Sequence, residues 1–188
     1  MIDTYTLSNG LRLIMERMPH LRSTSIGVWV KAGSMLEKQT ENGISHLMEH
    51  MAFKGTQRRS ARELAEEMDA IGGHMNAATS KLYTAYYAKV CDSDLEKAAD
   101  ILADIVCHPL ITQEDLEKEK SVITEEIAMV DDYPEENVFD LLHEALYHGQ
   151  ALAMPIIGTR EGVLGYTRQQ VVDYRKAHYN ADNTVISV

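Results

Sequence analysis

Five residues, His46-Leu47-Met48-Glu49-His50, restrict the fold of this chain more than any other stretch. In a helix, at roughly 100° per residue, the two histidines stand one turn apart on one face, where two imidazoles can meet one cation. Glu49 lies beside both. A carboxylate so placed can take a proton from water that the cation activates, the division of labour in metal-dependent peptide hydrolysis. Two histidines do not complete such a site, so the fold must bring a third ligand from a distant segment.

Glu119 and Glu126 are the candidates. Seven residues apart, they nearly superpose on one face of a predicted helix, while Glu125 is rotated about 100° away. Either Glu119 or Glu126 can reach the histidines, and the other could orient one of them or raise its basicity. Zinc with two nitrogens, one carboxylate and an open water position suits hydrolysis. Imidazole favours zinc over magnesium, while manganese or cobalt fits the same donors. The plainer reading makes His46 and His50 ordinary polar positions. Glu119 and Glu126 would then belong to a solvated face, since Glu114, Asp115, Glu117, Glu125, Asp131 and Asp132 occur nearby.

Around the motif, extended and helical patterns alternate. Tyr5 to Leu7 and Leu11 to Glu16 read as strands flanking the turn Ser8-Asn9-Gly10, and Ser25 to Val30 has a period near two. A helix carries Ile44 through Phe53 and ends at Lys54-Gly55-Thr56. Ser60-Ala61-Arg62-Glu63 is a capping-box pattern opening a helix with Leu64, Met68 and Ile71 on its apolar face, ended by Gly72-Gly73. Extended segments His74 to Thr79 and Leu82 to Val90 follow, the latter with Tyr83, Tyr86 and Tyr87, which read as packing residues. Leu95, Ala98, Ala99, Leu102, Ile105 and Val106 form a helical stripe that stops near His108-Pro109.

After a Thr112 cap, Leu116, Glu119, Ile123, Glu126, Ile127 and Val130 recur at helical spacing. Helices cover Glu135 to Leu146 and Thr167 or Arg168 to about His178, with an irregular region around Gly149 and Pro155 between them. Thr184 to Val188 is an apolar strand. The prediction is one α+β domain, a mainly antiparallel sheet packed against several helices.

The 188 residues carry a formal net charge of −11 and 45% apolar residues, enough for one sizeable core. The acidic balance argues against non-specific binding to nucleic acid or to a membrane surface, and favours basic partners if the field is focused in a cleft. No segment has the length to cross a bilayer, and Met1-Ile2-Asp3-Thr4-Tyr5 is not a basic leader before an apolar stretch, so a cytoplasmic location is expected. Cys91 and Cys107 are too few and too far apart for a disulfide scaffold or a thiolate zinc site, and are expected to be reduced and at least partly buried.

Together, His46-Leu47-Met48-Glu49-His50 and the downstream run Glu119-Lys120-Ser121-Val122-Ile123-Thr124-Glu125-Glu126-Ile127 resemble the insulinase and pitrilysin family of inverted-motif zinc peptidases. The nearest likeness is to the mitochondrial processing peptidases and their bacterial relatives. It begins near Tyr5-Thr6-Leu7-Ser8-Asn9-Gly10-Leu11, includes Gly72-Gly73-His74-Met75-Asn76-Ala77 with Thr79, and reaches Tyr179-Asn180. The resemblance implies that His46 and His50 bind Zn(2+), that Glu49 is the general base, that Glu126 is the third ligand, and that Glu119 supports the site. It also implies that the strand with Asn76 and Ala77 borders the cleft and pairs with an extended peptide substrate, Asn76 adding a polar contact.

Family members usually have a second, similarly folded domain, and related halves close around a peptide chamber. Residues 1–188 would then be the N-terminal zinc-binding domain, stopping inside its last strand, without the second homologous domain and the transition-state donors it supplies. The expected function is a zinc-dependent endopeptidase cleaving peptides or unfolded segments in the full-length protein, with a homodimer as one assembly. The isolated chain could bind zinc without cleaving anything. The alternative is a non-catalytic peptide-binding or assembly subunit of the same family.

Overall fold

The structure, a computed structural model, describes residues 2–188, and of Glu136 the backbone only. Strands β3 (Ser23–Val30) and β5 (Thr84–Cys91) run antiparallel at its centre, with Val28 opposite Tyr86 and Val30 opposite Thr84. Alternation turns Ile26, Val28 and Val30, with Tyr86, Ala88 and Val90, to one buried face. Beyond β5, β4 (His74–Thr79) is one edge of the sheet. On the other side β6 (Thr184–Ser187) lies between β3 and β2 (Arg12–Glu16), antiparallel to the former and parallel to the latter. β1 (Ile2–Thr6) pairs antiparallel with β2 as the far edge.

The buried face carries the helices. α1 (Ile44–Ala52) packs against β4 and β5, and α3 (Leu95–Cys107) against β3 and β5. α4 (Gln113–Asp131) crosses α1, with α2 (Ala61–Ala70), α5 (Pro134–Tyr147), α6 (Arg160–Gly165) and α7 (Arg168–His178) around them. Ile44, Leu47, Met48 and Met51 of α1 meet Ile101, Leu102 and Ile105 of α3 and Leu116 and Ile123 of α4 in a single cluster. Each such side chain contributes roughly 1.5–3 kcal/mol by burial, so four of them fix the rotation of α1 about its axis.

The loop after α1 is tied to α3. The Arg59 guanidinium donates to Asp104 at 2.8 Å, Asp100 at 2.5 Å and Glu67 at 3.1 Å, and Thr56 Oγ1 donates to Asp104 at 2.8 Å. Asp104 is fully buried, so removing its cation would leave an uncompensated interior charge, a defect worth about 3–5 kcal/mol.

The expected antiparallel-dominated α+β architecture is the one found, with local differences. The first strand covers Ile2–Thr6 rather than Tyr5 to Leu7, because Leu7 closes the turn: its N–H donates to Leu11 O and its carbonyl accepts from Gly10 N–H. All five β1 residues are exposed, so the strand exists through pairing and leaves no burial alternation to read. The irregular region contains the short helix α6, unforeseen because Gly162 and Gly165 depress helix propensity. It forms on a Thr159 cap and the fully buried Val163. Cys91 and Cys107 are free but exposed, correcting the expectation of partial burial; Cys91 falls on the outward-facing end of the β5 alternation, and Cys107 is the last residue of α3. Among the described residues, no helix is long and apolar enough to cross a membrane.

Candidate metal centre

Helix α1 is divided by its own periodicity. Ile44, Leu47, Met48, Met51 and Ala52 are buried in the core, while His46, Glu49 and His50 lie on the remaining face and are only partly covered. The two imidazoles stand with ring centroids 4.6 Å apart at an interplanar angle of 64°. Gly43 precedes the helix at φ 90° and has no side chain to cap it. A Cβ there would come within 2.7 Å of Gly158 Cα, so the position takes glycine and the cap comes from upstream. Buried Glu37 supplies it, accepting from Gly43 N–H and Ser45 N–H at 2.8 Å each and from Asn42 Nδ2 at 3.3 Å.

Helix α4 presents both glutamates to this face, two turns apart, and the structure gives them different partners. Glu119 Oε2 lies 3.0 Å from His50 Nδ1, and Glu119 Oε1 lies 2.6 Å from Lys54 Nζ. Glu126 Oε2 lies 3.5 Å from His50 Nε2 and 3.9 Å from His46 Nε2. Glu125 is exposed, away from the cluster. Among the described residues, His46, His50 and Glu126 are the one group of three metal-type donors whose ligand atoms lie within 4.8 Å of one another.

The donor set fits a tetrahedral ion. Ligand atoms about 2.0–2.2 Å from such an ion stand roughly 3.3–3.6 Å apart, close to the separations of Glu126 from the two imidazoles. His46 Nδ1 is buried without a hydrogen-bond partner, and burial together with the neighbouring His50 lowers the His46 pKa to about 4. A neutral imidazole is the ligating form, and its 3.9 Å approach to Glu126 is therefore not an ion pair. Glu119 accepting at His50 Nδ1 leaves the Nε2 lone pair for an ion, the tautomer that such carboxylate–histidine pairs fix.

Glu49 sits beside the cluster at a cavity of about 310 Å³ whose lining includes His46, Ala78, Thr79, Asp140 and Ile156. Burial raises the Glu49 pKa, opposed by the Thr79 hydroxyl, which donates to Oε2 at 2.5 Å, and by His50. A larger cavity of about 480 Å³ borders Glu37, Asn42 and Tyr166 near the start of α1, but the Glu37 carboxylate there is committed to the helix N–H groups.

Asn76 and Ala77 lie on the edge strand β4. The Ala77 side chain is in the core, and Asn76 Oδ1 accepts from Ala77 N–H at 2.9 Å, so local bonding engages both. The β4 residues that line the cavity with His46 and Glu49 are Ala78 and Thr79. No local pattern in the sequence assigns a role to Glu37, Lys54 or Thr79. Lys54 follows His50 by four positions, a spacing that continues the face of α1. Gly43 at the cap position signals a cap from elsewhere, but nothing local identifies Glu37 as its source.

The profile of the family described as Insulinase (Peptidase family M16) matches residues 12–160. A Bacillus subtilis (strain 168) protein described as the uncharacterized zinc protease YmxG is 47% identical over 188 residues, covering 100% of this chain and 46% of that protein. An Arabidopsis thaliana protein described as a probable mitochondrial-processing peptidase subunit beta is 41% identical over 182 residues, covering 97% of this chain and 34% of that one. The crystal structure of a protease from Helicobacter pylori superposes with a TM-score of 0.95 at 23% identity, over 100% of this chain and 45% of that chain, a likeness of fold. The chain thus spans half or less of the length of the relatives it matches.

Proposed function

Because this chain belongs to the insulinase family, peptidase family M16, we propose that it is the zinc-binding domain of a metalloendopeptidase acting on peptides or unfolded protein segments. His46, His50 and Glu126 would hold the ion, with Glu119 orienting His50. When bound, zinc supplies Lewis acidity, making water a nucleophile near neutral pH and polarising the scissile carbonyl. Glu49 takes the proton and returns it to the departing amine, and its burial raises its proton affinity. An extended substrate adds to the free edge of β4, where Asn76 would give up its bond to Ala77 N–H in favour of the peptide.

The convergence of His46, His50 and Glu126 beside Glu49 carries this reading. We also propose that the domain works against a further domain of the full-length protein, which the exposed apolar stripe of α5, with Val138, Phe139, Leu142 and Leu146 about half to two-thirds exposed, and the coverage of under half of the relatives' length support. Similarity to a processing-peptidase subunit supports placement near that branch, and similarity to bacterial zinc proteases supports a bacterial-type peptidase equally.

The test is peptide cleavage by the intact protein, stripped with chelator and reloaded with zinc, beside Glu49→Gln. Cleavage by the wild type and its loss in the variant are expected. Retained rate in Glu49→Gln overturns the base assignment, and inactivity of both favours the non-catalytic peptide-binding or assembly subunit.

A further inference from the structure

Glu49 projects from α1 on a side chain with three rotatable bonds, and Thr79 is the residue that donates to it, through its hydroxyl, 2.5 Å from Oε2, and through its backbone N–H. Among the described residues no other side chain donates to the carboxylate. Thr79 ends β4, where it pairs in register with Thr84 of β5, and the next residue, Ser80, enters a tight turn through its N–H bond to Tyr83 O. The hydroxyl is thus fixed by the sheet, while the carboxylate it meets is carried by the helix.

Counting protons decides the direction of the bond. Thr84 Oγ1 is 3.4 Å from Thr79 Oγ1, so the two hydroxyls could in principle exchange donor and acceptor roles. Thr84 is fully buried and its hydroxyl donates to the Ala32 carbonyl at 2.9 Å, an acceptor with no proton of its own. That commits the Thr84 proton. Thr79 has one proton to place, and the Glu49 carboxylate oxygen at 2.5 Å is much nearer than Thr84 Oγ1 at 3.4 Å, which makes it the acceptor.

We propose that Thr79 is a positioning residue for Glu49: its hydroxyl pins Oε2 against the sheet and leaves Oε1 as the oxygen turned toward the reacting water. This rests on the reading of Glu49 as the base. A purely structural bond between α1 and β4 would instead show up as stability, without selective loss of the chemical step. A base displaced by about 1 Å can lose around a hundredfold in rate, so the two roles differ in what they predict.

The experiment compares wild type, Thr79→Val, Thr79→Ser and Glu49→Gln in the intact zinc-loaded protein. It records kcat, KM, bound zinc and Tm, together with crystal structures of the wild type and Thr79→Val. Thr79→Val is expected to lower kcat roughly 10–100-fold with KM and bound zinc changed by less than about twofold, while Thr79→Ser stays within about threefold of wild type. In the Thr79→Val crystals the Glu49 carboxylate should leave its wild-type position. An unmoved carboxylate overturns the proposal whether or not the protein is active, and so does a kcat within about twofold of wild type in an active protein. A protein in which Glu49→Gln cleaves at the wild-type rate fails the base assignment instead, a different outcome from failure at Thr79.

Discussion

Replacing Glu37 by alanine should loosen the start of the helix that carries His46, Glu49 and His50. The carboxylate is 6% exposed and accepts from Gly43 N–H and Ser45 N–H at 2.8 Å each. Without it two buried donors lose their acceptor, each worth about 1–3 kcal/mol, and the positive end of the helix loses a charge worth about 0.3–1 kcal/mol. Relief of the cost of burying a carboxylate offsets part of this, leaving a net loss of about 2–4 kcal/mol. At about 2–4 °C per kcal/mol for a unit of this size, Tm should fall by roughly 4–16 °C. Glu37→Gln, which keeps an oxygen acceptor without the charge, should fall between the two. Glu41→Ala is the control, because its partner Lys38 is 79% exposed and such pairs contribute little. Thermal unfolding followed by circular dichroism reads all three. A Glu37→Ala shift no larger than that of Glu41→Ala would refute the reasoning, since it would mean that the helix start does not depend on the buried cap.

Zinc competition with a chromophoric chelator should separate the two glutamates of α4. Glu119→Gln should weaken binding about 10–100-fold by releasing His50, and Glu126→Gln should weaken it further by removing a ligand; the opposite order would exchange their roles. A second outcome concerns pH. Hydrogen bonds from Arg58 and Arg59 lower the Asp100 pKa from its ordinary 3.8 to about 2. The folded value lies below the unfolded one, so this stabilisation is complete above about pH 3.8 and disappears as pH falls through about 2. Asp100→Asn should therefore flatten the Tm profile across that window, by a modest amount because the side chain is 41% exposed; an unchanged acid slope would contradict it.

Much of the fold was legible because the patterns are local. Ile26, Val28 and Val30 announce a half-buried strand, and Ile44, Leu47, Met48 and Met51 leave His46, Glu49 and His50 together on the opposite face of a helix. The Ser60 capping box is present as read, Ser60 Oγ accepting from Glu63 N–H at 3.2 Å. β1 and α6 were harder to read, the first because pairing alone holds an exposed strand, the second because a six-residue helix with two glycines has almost no propensity of its own.

By itself the sequence determined which side chains share a face: the two imidazoles with Glu49 on one helix, Glu119 with Glu126 on another. Tertiary structure decided which turn of α4 meets which edge of the His50 ring, so that Glu119 faces Nδ1 and Glu126 faces Nε2. It also brought Thr79 to Glu49 and Glu37 to the start of α1. The reason is geometric. A helical repeat fixes angle about an axis, and residues seven apart are nearly equivalent in angle, whereas position along the axis is set only when Leu116 and Ile123 pack into the same core as Leu47 and Met51.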